Sequence, residues 1–237
     1  MIKSRSNVGF AGGNNLGIAQ AIGQYYLLLN SDTLLTEDSI GKAFDFLLSQ
    51  QRAGVVGCRQ VYPDGKIQYV ARRFRTIQWE FLDLFRFFLY LLPYAQRSRL
   101  MLGKYFRQNE TCEVDWVNGA FFLVPAQVVK ALPGQRLDDR FFMYGEDVLW
   151  CEQIKELGYD IFFFADTTII HFLGGSTDIS KQLKLRHVMM KHEKIIMARR
   201  KGKGLYYFVF SILYVGKERV RNLIKQLLFS LSGKLVR

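Results

Sequence analysis

The sequence is poor in cysteine: Cys58, Cys112 and Cys151 stand far apart, with no CxxC pair. That excludes a disulfide framework and a cysteine zinc site, and it suits a reducing compartment. No apolar run follows the polar residues 1–7, so no signal peptide is expected. Internal repeats and low-complexity tracts are missing, as are G-x-S-x-G, Walker, G-x-G-x-x-G and H-E-x-x-H motifs. The segment Gly12-Gly13-Asn14-Asn15-Leu16-Gly17 is too short to be a dinucleotide fingerprint. Acidic residues are scarce in one region only. Residues 181–237 hold 15 Lys/Arg against 2 Asp/Glu, whereas residues 1–180 hold 18 against 19. The net charge of +12 therefore resides wholly in the last quarter. Beside it, residues 205–215 form an apolar run with one polar member, too short to span a bilayer. A basic, apolar tail on a near-neutral body points to an anionic membrane surface, and no nucleic-acid partner is expected.

What is present suffices for a core. The chain has 237 residues, 49% hydrophobic and 23% charged, which fits one large α/β domain or a domain with an appendage. Residues 14–24 read as a short helix capped by Asn14 or Asn15. Residues 25–29 form a continuous apolar run, the pattern of a buried parallel strand. A helix is expected from about Thr36 to Gln51, then a strand over 54–58, and a strand-joining turn at Tyr62-Pro63-Asp64-Gly65. Residues 79–92 are apolar nearly all round, a helix either deeply buried or touching lipid. Strand is expected over 114–124, 160–164 and 167–171, and helix over 127–132 and from Glu146 to Leu157. Gly174-Gly175-Ser176 reads as a flexible turn. Helix resumes near Lys181, broken at 202–204. Alternating strands and helices mean an α/β sheet with a helical C-terminal appendage.

Three clusters could carry chemistry. Asp32 follows the run 25–29, at the strand end where open α/β sheets bind ligands, so it either holds a divalent ion or caps the next helix. Glu146-Asp147 follow Phe141-Phe142-Met143-Tyr144, whose aromatics half-shield them and raise the basicity of one. Their position at a helix N-terminus is also ordinary for acidic residues. His171 closes a strand, either as a metal ligand or as a hydrogen-bonded structural residue. His187 and His192 are five residues apart and read as surface positions.

The order of the motifs is more specific than any one of them. The run from Asn7 to Ile18, then Leu27-Leu28-Leu29-Asn30-Ser31-Asp32-Thr33, resembles the family 2 glycosyltransferases, particularly their rhamnosyltransferase-like branch. The likeness continues through Tyr62-Pro63-Asp64-Gly65-Lys66-Ile67-Gln68, Trp116-Val117-Asn118-Gly119-Ala120 and residues 137–147, and closes at His171. It implies a GT-A-like (Rossmann-like), mostly parallel sheet flanked by helices over residues 1–177, with a basic, amphipathic membrane-associating tail over 178–237. It also implies inverting transfer of a sugar from a nucleoside-diphosphate donor, with Mg²⁺ or Mn²⁺, to a glycan or lipid-linked acceptor in cell-surface polysaccharide synthesis. By that resemblance Asp147 matches the catalytic base and Glu146 its partner. Asp32 looks like the last carboxylate of a D-x-D element in N-S-D form, and His171 like a further metal ligand. Asn7, Gly9, Asn15, Asn30 and Asp32 fall on the donor side, and Trp116 and Gly119 on the acceptor side. The expected location is peripheral, at the cytoplasmic face of the cell membrane. Members of the family begin with further strands, ending in an acidic segment that grips the nucleotide base, and these have no counterpart here. The sequence is accordingly expected to be N-terminally incomplete. A truncated or degenerate fragment without activity, or a peripheral membrane-binding protein, are the rival readings.

Overall fold

The computed structural model describes residues 2–173 and 179–232. The turn expected at 174–176 and the domain boundary expected at 177/178 lie outside them. The described residues form two compact units, one running up to Phe74 and resuming over Pro93–Leu173, the other joining Arg75–Leu92 to the C-terminal helices.

The first unit opens with α1 (Gly9–Ile18), β1 (Tyr25–Leu29), β2 (Thr33–Leu35), α2 (Ser39–Ser49), β3 (Ala53–Val61) and β4 (Ile67–Gln68). Asn14 and Asn15 lie inside α1, so neither is its cap. The Asn15 amide is instead spent on Leu137, giving to its carbonyl at 2.8 Å and accepting from its N–H at 3.1 Å. Asp38 caps α2 by accepting from the Gly41 N–H at 2.9 Å. Gly65, at φ +77°, makes the expected turn between β3 and β4. After Pro93 come α5 (Tyr94–Met101), β5 (Cys112–Val114), β6 (Phe121–Pro125), α6 (Ala126–Ala131), α7 (Glu146–Glu156) and β7 (Asp160–His171).

The strands make one sheet in the order β1-β6-β3-β7-β2, with β4 on β3 and β5 on β7. The α/β class holds, but the sheet is mixed rather than mostly parallel. β3 and β7 pair in parallel, whereas β6 runs antiparallel to both β1 and β3, and β2 and β5 run antiparallel to β7. The run 25–29 is thus a strand with an antiparallel partner, and its burial alternates. Residues 160–171 are a single strand, because the pairing jumps from Cys58↔Phe164 to Arg59↔Thr168 and the strand continues past the irregularity. Residues expected to form one strand over 114–124 form two, β5 and β6. The core packs on both sheet faces, around Trp150, Phe122 and Phe163 on one and Phe121, Ala43 and Ile169 on the other. β1, β3 and β7 share one direction, so Asn30, Tyr62 and His171 emerge at the same edge of the sheet.

The second unit contains α3 (Ile77–Leu84) and α4 (Arg86–Leu89), then α8 (Ile179–Lys201) and α9 (Leu205–Ser232). Thr76 caps α3 by accepting from the Trp79 N–H at 3.0 Å. α3 packs on α9 through charge as well as grease. The ammonium of Lys217, buried, donates to Glu80 and, at 2.7 Å, to Asp83; Arg221 pairs with Asp83 at 2.8 Å and Arg75 with Glu80 at 2.7 Å. Burial alone would raise the Asp83 carboxyl, but Lys217 and Arg221 hold it below its ordinary value. The Arg75 guanidinium lies over the rings of Trp79 and Tyr214, at 4.8 and 4.7 Å. Met197, Phe210 and Tyr214 make a small apolar core, while other apolar side chains of this unit face outward: Phe87, Phe88 and Leu91 beyond α3, and Leu205, Phe208, Ile212, Leu223 and Leu227 along α9. No described helix is long and apolar enough to cross a membrane.

Candidate active site

Residues at the common strand edge converge on His171. The turn between β1 and β2 is fixed there: the Asn30 N–H donates to the Ala120 carbonyl at 3.0 Å, and the Phe172 N–H to the Asp32 carbonyl at 2.9 Å. The pairing of Thr33 with His171 in the β2–β7 ladder then carries Asp32 to the imidazole. His171 Nε2 is 3.3 Å from Asp32 Oδ1 and 3.3 Å from Asn30 Nδ2.

The protonation state of His171 follows from Gln68. Gln68 Nε2 lies 2.6 Å from the His171 carbonyl, which only accepts, so the amide nitrogen must point there. Gln68 Oε1 then faces His171 Nδ1 at 3.0 Å and takes its proton. Burial lowers the affinity of the ring for a second proton, against the opposing pull of Asp32. His171 is therefore neutral, with its Nε2 lone pair directed toward the site. Asn30 Nδ2 can donate to that lone pair; the Asp32 carboxylate cannot. Two electron-pair donors 3.3 Å apart with no proton between them suit a divalent cation, which accepts from both. Among the described residues no three His, Cys, Asp or Glu side chains gather as a metal cluster.

The acidic pair sits where the chain enters α7. Tyr144 and Gly145 both take positive φ, 71° and 96°, which turns the backbone sharply before Glu146. Glu146 is buried, its Oε2 has no hydrogen-bond partner, and burial followed by the charge of Asp147 pushes its carboxyl up to about 7. Asp147 is half-buried and accepts from the Val148 N–H at 2.9 Å. Burial pushes it up to about 6, against the downward pull of the Val148 N–H, of Arg72 and of the Gly119 N–H. The two titrate as a coupled pair near neutrality, with Asp147 the first to ionise. Of the residues preceding the pair, Phe141 is buried, whereas Phe142 and Met143 are exposed.

This gives a first expected outcome. Because the Glu146 carboxyl is raised on folding, the native state holds its proton longer than the unfolded chain does. Its contribution therefore makes stability fall as pH rises from about 4.5 through about 7. Glu146→Gln should unfold like the wild type at pH 4 and be about 1–3 kcal/mol more stable at pH 8. Urea denaturation at the two pH values checks this.

The segment between β5 and β6 joins the two clusters. Gly119 donates to Asp147 and the neighbouring Ala120 carbonyl accepts from Asn30, so adjacent residues serve both. A side chain at Gly119 would meet the Phe10 ring at 2.6 Å, and Phe10 in turn stacks on Trp150 at 5.9 Å. Trp116 donates through Nε1 to the Arg73 carbonyl at 3.2 Å, and Arg72 lies over its ring at 5.5 Å. Asn118 and Gln60 exchange amide hydrogen bonds at 2.7 and 3.0 Å. Of the expected donor-side residues, Asn30 and Asp32 are at the cluster. Gly9 presses on the Phe142 backbone, where a Cβ would stand 2.3 Å from the carbonyl oxygen, and exposed Asn7 accepts from the Gly9 N–H at 3.1 Å. Asn15 anchors Leu137. Sequence reading assigned no role to Gln68 or Arg72. An alternating strand residue and one arginine among many give no signal until their partners are known.

Residues 1–109 match the family model described as glycosyl transferase family 2. That match covers 109 of the 237 residues. Asn30, Asp32, Gln68 and Arg72 of the candidate site lie within the matched residues, and Trp116, Gly119, Glu146, Asp147 and His171 beyond them. Solved structures extend the likeness in fold. A mannosyltransferase from Pyrobaculum calidifontis, PcManGT, in complex with GDP-Man and Mn²⁺, is 12% identical with a TM-score of 0.56, over 99% of this chain and 58% of its own. GalNAc-T7 with UDP, GalNAc and Mn²⁺ is 14% identical with a TM-score of 0.50, over 87% of this chain and 40% of its own. The glycosyltransferase fold seen here thus spans about half the length of these two structures. No curated protein matches the sequence.

Proposed function

We propose that the protein transfers a sugar, with inversion, from a nucleoside-diphosphate donor to a hydroxyl of a glycan or lipid-linked acceptor, in the assembly of a cell-surface polysaccharide. The observation that carries this reading is the pairing of Asp32 with the neutral His171 beside a second, separately held carboxylate whose proton affinity sits near pH 6. Asp32 and His171 would hold Mg²⁺ or Mn²⁺. When bound, that ion supplies positive charge to the departing diphosphate. Asp147, ionised at neutral pH, takes the proton of the acceptor hydroxyl as its oxygen attacks the anomeric carbon on the face opposite the diphosphate. Glu146 keeps its own proton longer and so does not add a second charge beside the base. The Gly119 N–H fixes the Asp147 carboxylate, and the Trp116 ring beside Arg72 is a face on which an acceptor sugar can stack. The test is release of nucleoside diphosphate from a panel of UDP-, GDP- and dTDP-sugars, with Mn²⁺, with Mg²⁺ and with chelator. Metal-dependent release from at least one donor is expected; its absence across the panel defeats the reading.

The same reading includes a peripheral membrane position. Its support is the positive excess of residues 181–237 together with the outward apolar side chains of α4 and α9. Each Lys or Arg near an anionic surface contributes about 1 kcal/mol, and salt screens that part. Burial of Phe208 and its neighbours is not screened. Co-sedimentation with phosphatidylglycerol vesicles should weaken with salt without vanishing, and Phe208→Glu should remove the salt-resistant remainder. Binding that disappears completely at high salt in the wild type would contradict apolar insertion.

A further inference from the structure

A groove between α8 and α9, of about 550 Å³, belongs to no part of the chemistry above. It lies entirely within the second unit. Lys191, Lys194, Lys203 and Arg219 line it, with no Asp or Glu among the residues around it. Its apolar surface comes from Met190, Ile195 and Val215. Helix geometry separates this face of α9 from the others. Val215, Arg219, Asn222 and Gln226 recur at helical spacing in the groove, whereas Phe210, Tyr214 and Lys217 point into the unit. Arg186 donates to Asn222 at 3.3 Å and so ties the two helices together along the groove. Lys194 lies 5.9 Å over the Tyr207 ring, which positions its ammonium toward the cleft.

We propose that this groove binds a single amphiphile carrying a phosphate head and an alkyl chain. The cations are gathered without a carboxylate among the lining residues, so the groove's potential favours an anion. A small inorganic anion would satisfy the charges and leave the apolar wall wet. A neutral apolar molecule would cover the wall and leave the positive potential of the groove unanswered. The volume suits one small ligand rather than a helix or a second copy of the chain. The inference does not depend on glycosyl transfer, because it concerns residues outside the catalytic machinery and is read by binding alone.

Isothermal titration of the full chain with dodecyl phosphate below its micellar concentration tests this, with inorganic phosphate and dodecyl maltoside as the other two probes. Dodecyl phosphate should bind at least about tenfold more tightly than either. Lys194→Ala with Arg219→Ala should weaken it by about tenfold or more, whereas Lys194→Arg retains binding. Val215→Trp, which fills the apolar wall, should weaken dodecyl phosphate and leave inorganic phosphate unaffected. Circular dichroism melts report whether each variant folds, and the two routes, charge and volume, fail independently. Equal affinity for inorganic phosphate or for dodecyl maltoside overturns the proposal, as does unchanged binding in the folded charge variant. Uptake onto phosphatidylglycerol vesicles with no binding of the monomeric amphiphile overturns it as well, and assigns the cations to the bilayer surface instead.

Discussion

Asp147→Asn should lower sugar transfer by about 10²–10⁴-fold while leaving nucleoside-diphosphate affinity within about twofold. The carboxamide keeps the shape and the hydrogen bond from the Val148 N–H, but it cannot take a proton from the acceptor hydroxyl. The pH profile separates this role from a structural one. With the Asp147 carboxyl raised to about 6, chiefly by burial, wild-type activity should fall as pH drops through 6, because the base becomes protonated. The residual rate of Asp147→Asn should lack that limb. Transfer rates from pH 5 to 8 in both proteins decide it, and undiminished turnover in the variant removes Asp147 as the base.

Asp32→Ala should cost at least about 10–100-fold in Mn²⁺-dependent donor binding, and His171→Ala less. Asp32 would bring a full negative charge to a bound ion, whereas the neutral imidazole would bring one lone pair. Gln68→Leu is the informative companion. It removes the acceptor that keeps the His171 proton on Nδ1, so the ring can present an N–H to the site instead of a lone pair. Calorimetric titration of UDP and GDP, with and without Mn²⁺, measures all three. Equal metal-dependent affinity in wild type and Asp32→Ala would sink the assignment of Asp32 as a ligand.

Much of the architecture could be read from residues alone because the relevant signals are local. The apolar run 25–29 stops at Asn30, the Pro-Asp-Gly turn requires a positive φ at Gly65, and Glu146 opens a helix ended at Gly158. These depend on burial and on backbone sterics. Strand direction was not legible, since a run of buried residues looks the same beside a parallel or an antiparallel neighbour. β2 was missed because three residues, Thr33–Leu35, carry no period, and the strand exists through its pairing with β7. Asp32 and His171 were legible as separate residues of the right type at strand ends. Their contact, and the role of Gln68 in fixing the ring, depend on residues more than a hundred positions apart. Lys217 was counted with the basic tail, yet it lies inside the second unit, because charge in a sequence does not reveal a buried carboxylate partner.

The position of Lys217 constrains which sequence changes this unit can absorb. Lost alone, it would leave Glu80 and Asp83 in the interior with Arg75 and Arg221 to answer them, a penalty of up to about 3–5 kcal/mol. Exchanging it together with both acids for apolar residues would take Glu80 from Arg75 and Asp83 from Arg221, so an exchange that costs little has to include those two arginines as well. Tolerated variation in this network should therefore be concerted: libraries that randomise Glu80, Asp83 or Lys217 singly will recover few folded sequences, and libraries that randomise these three jointly with Arg75 and Arg221 will recover folded sequences with no charge there.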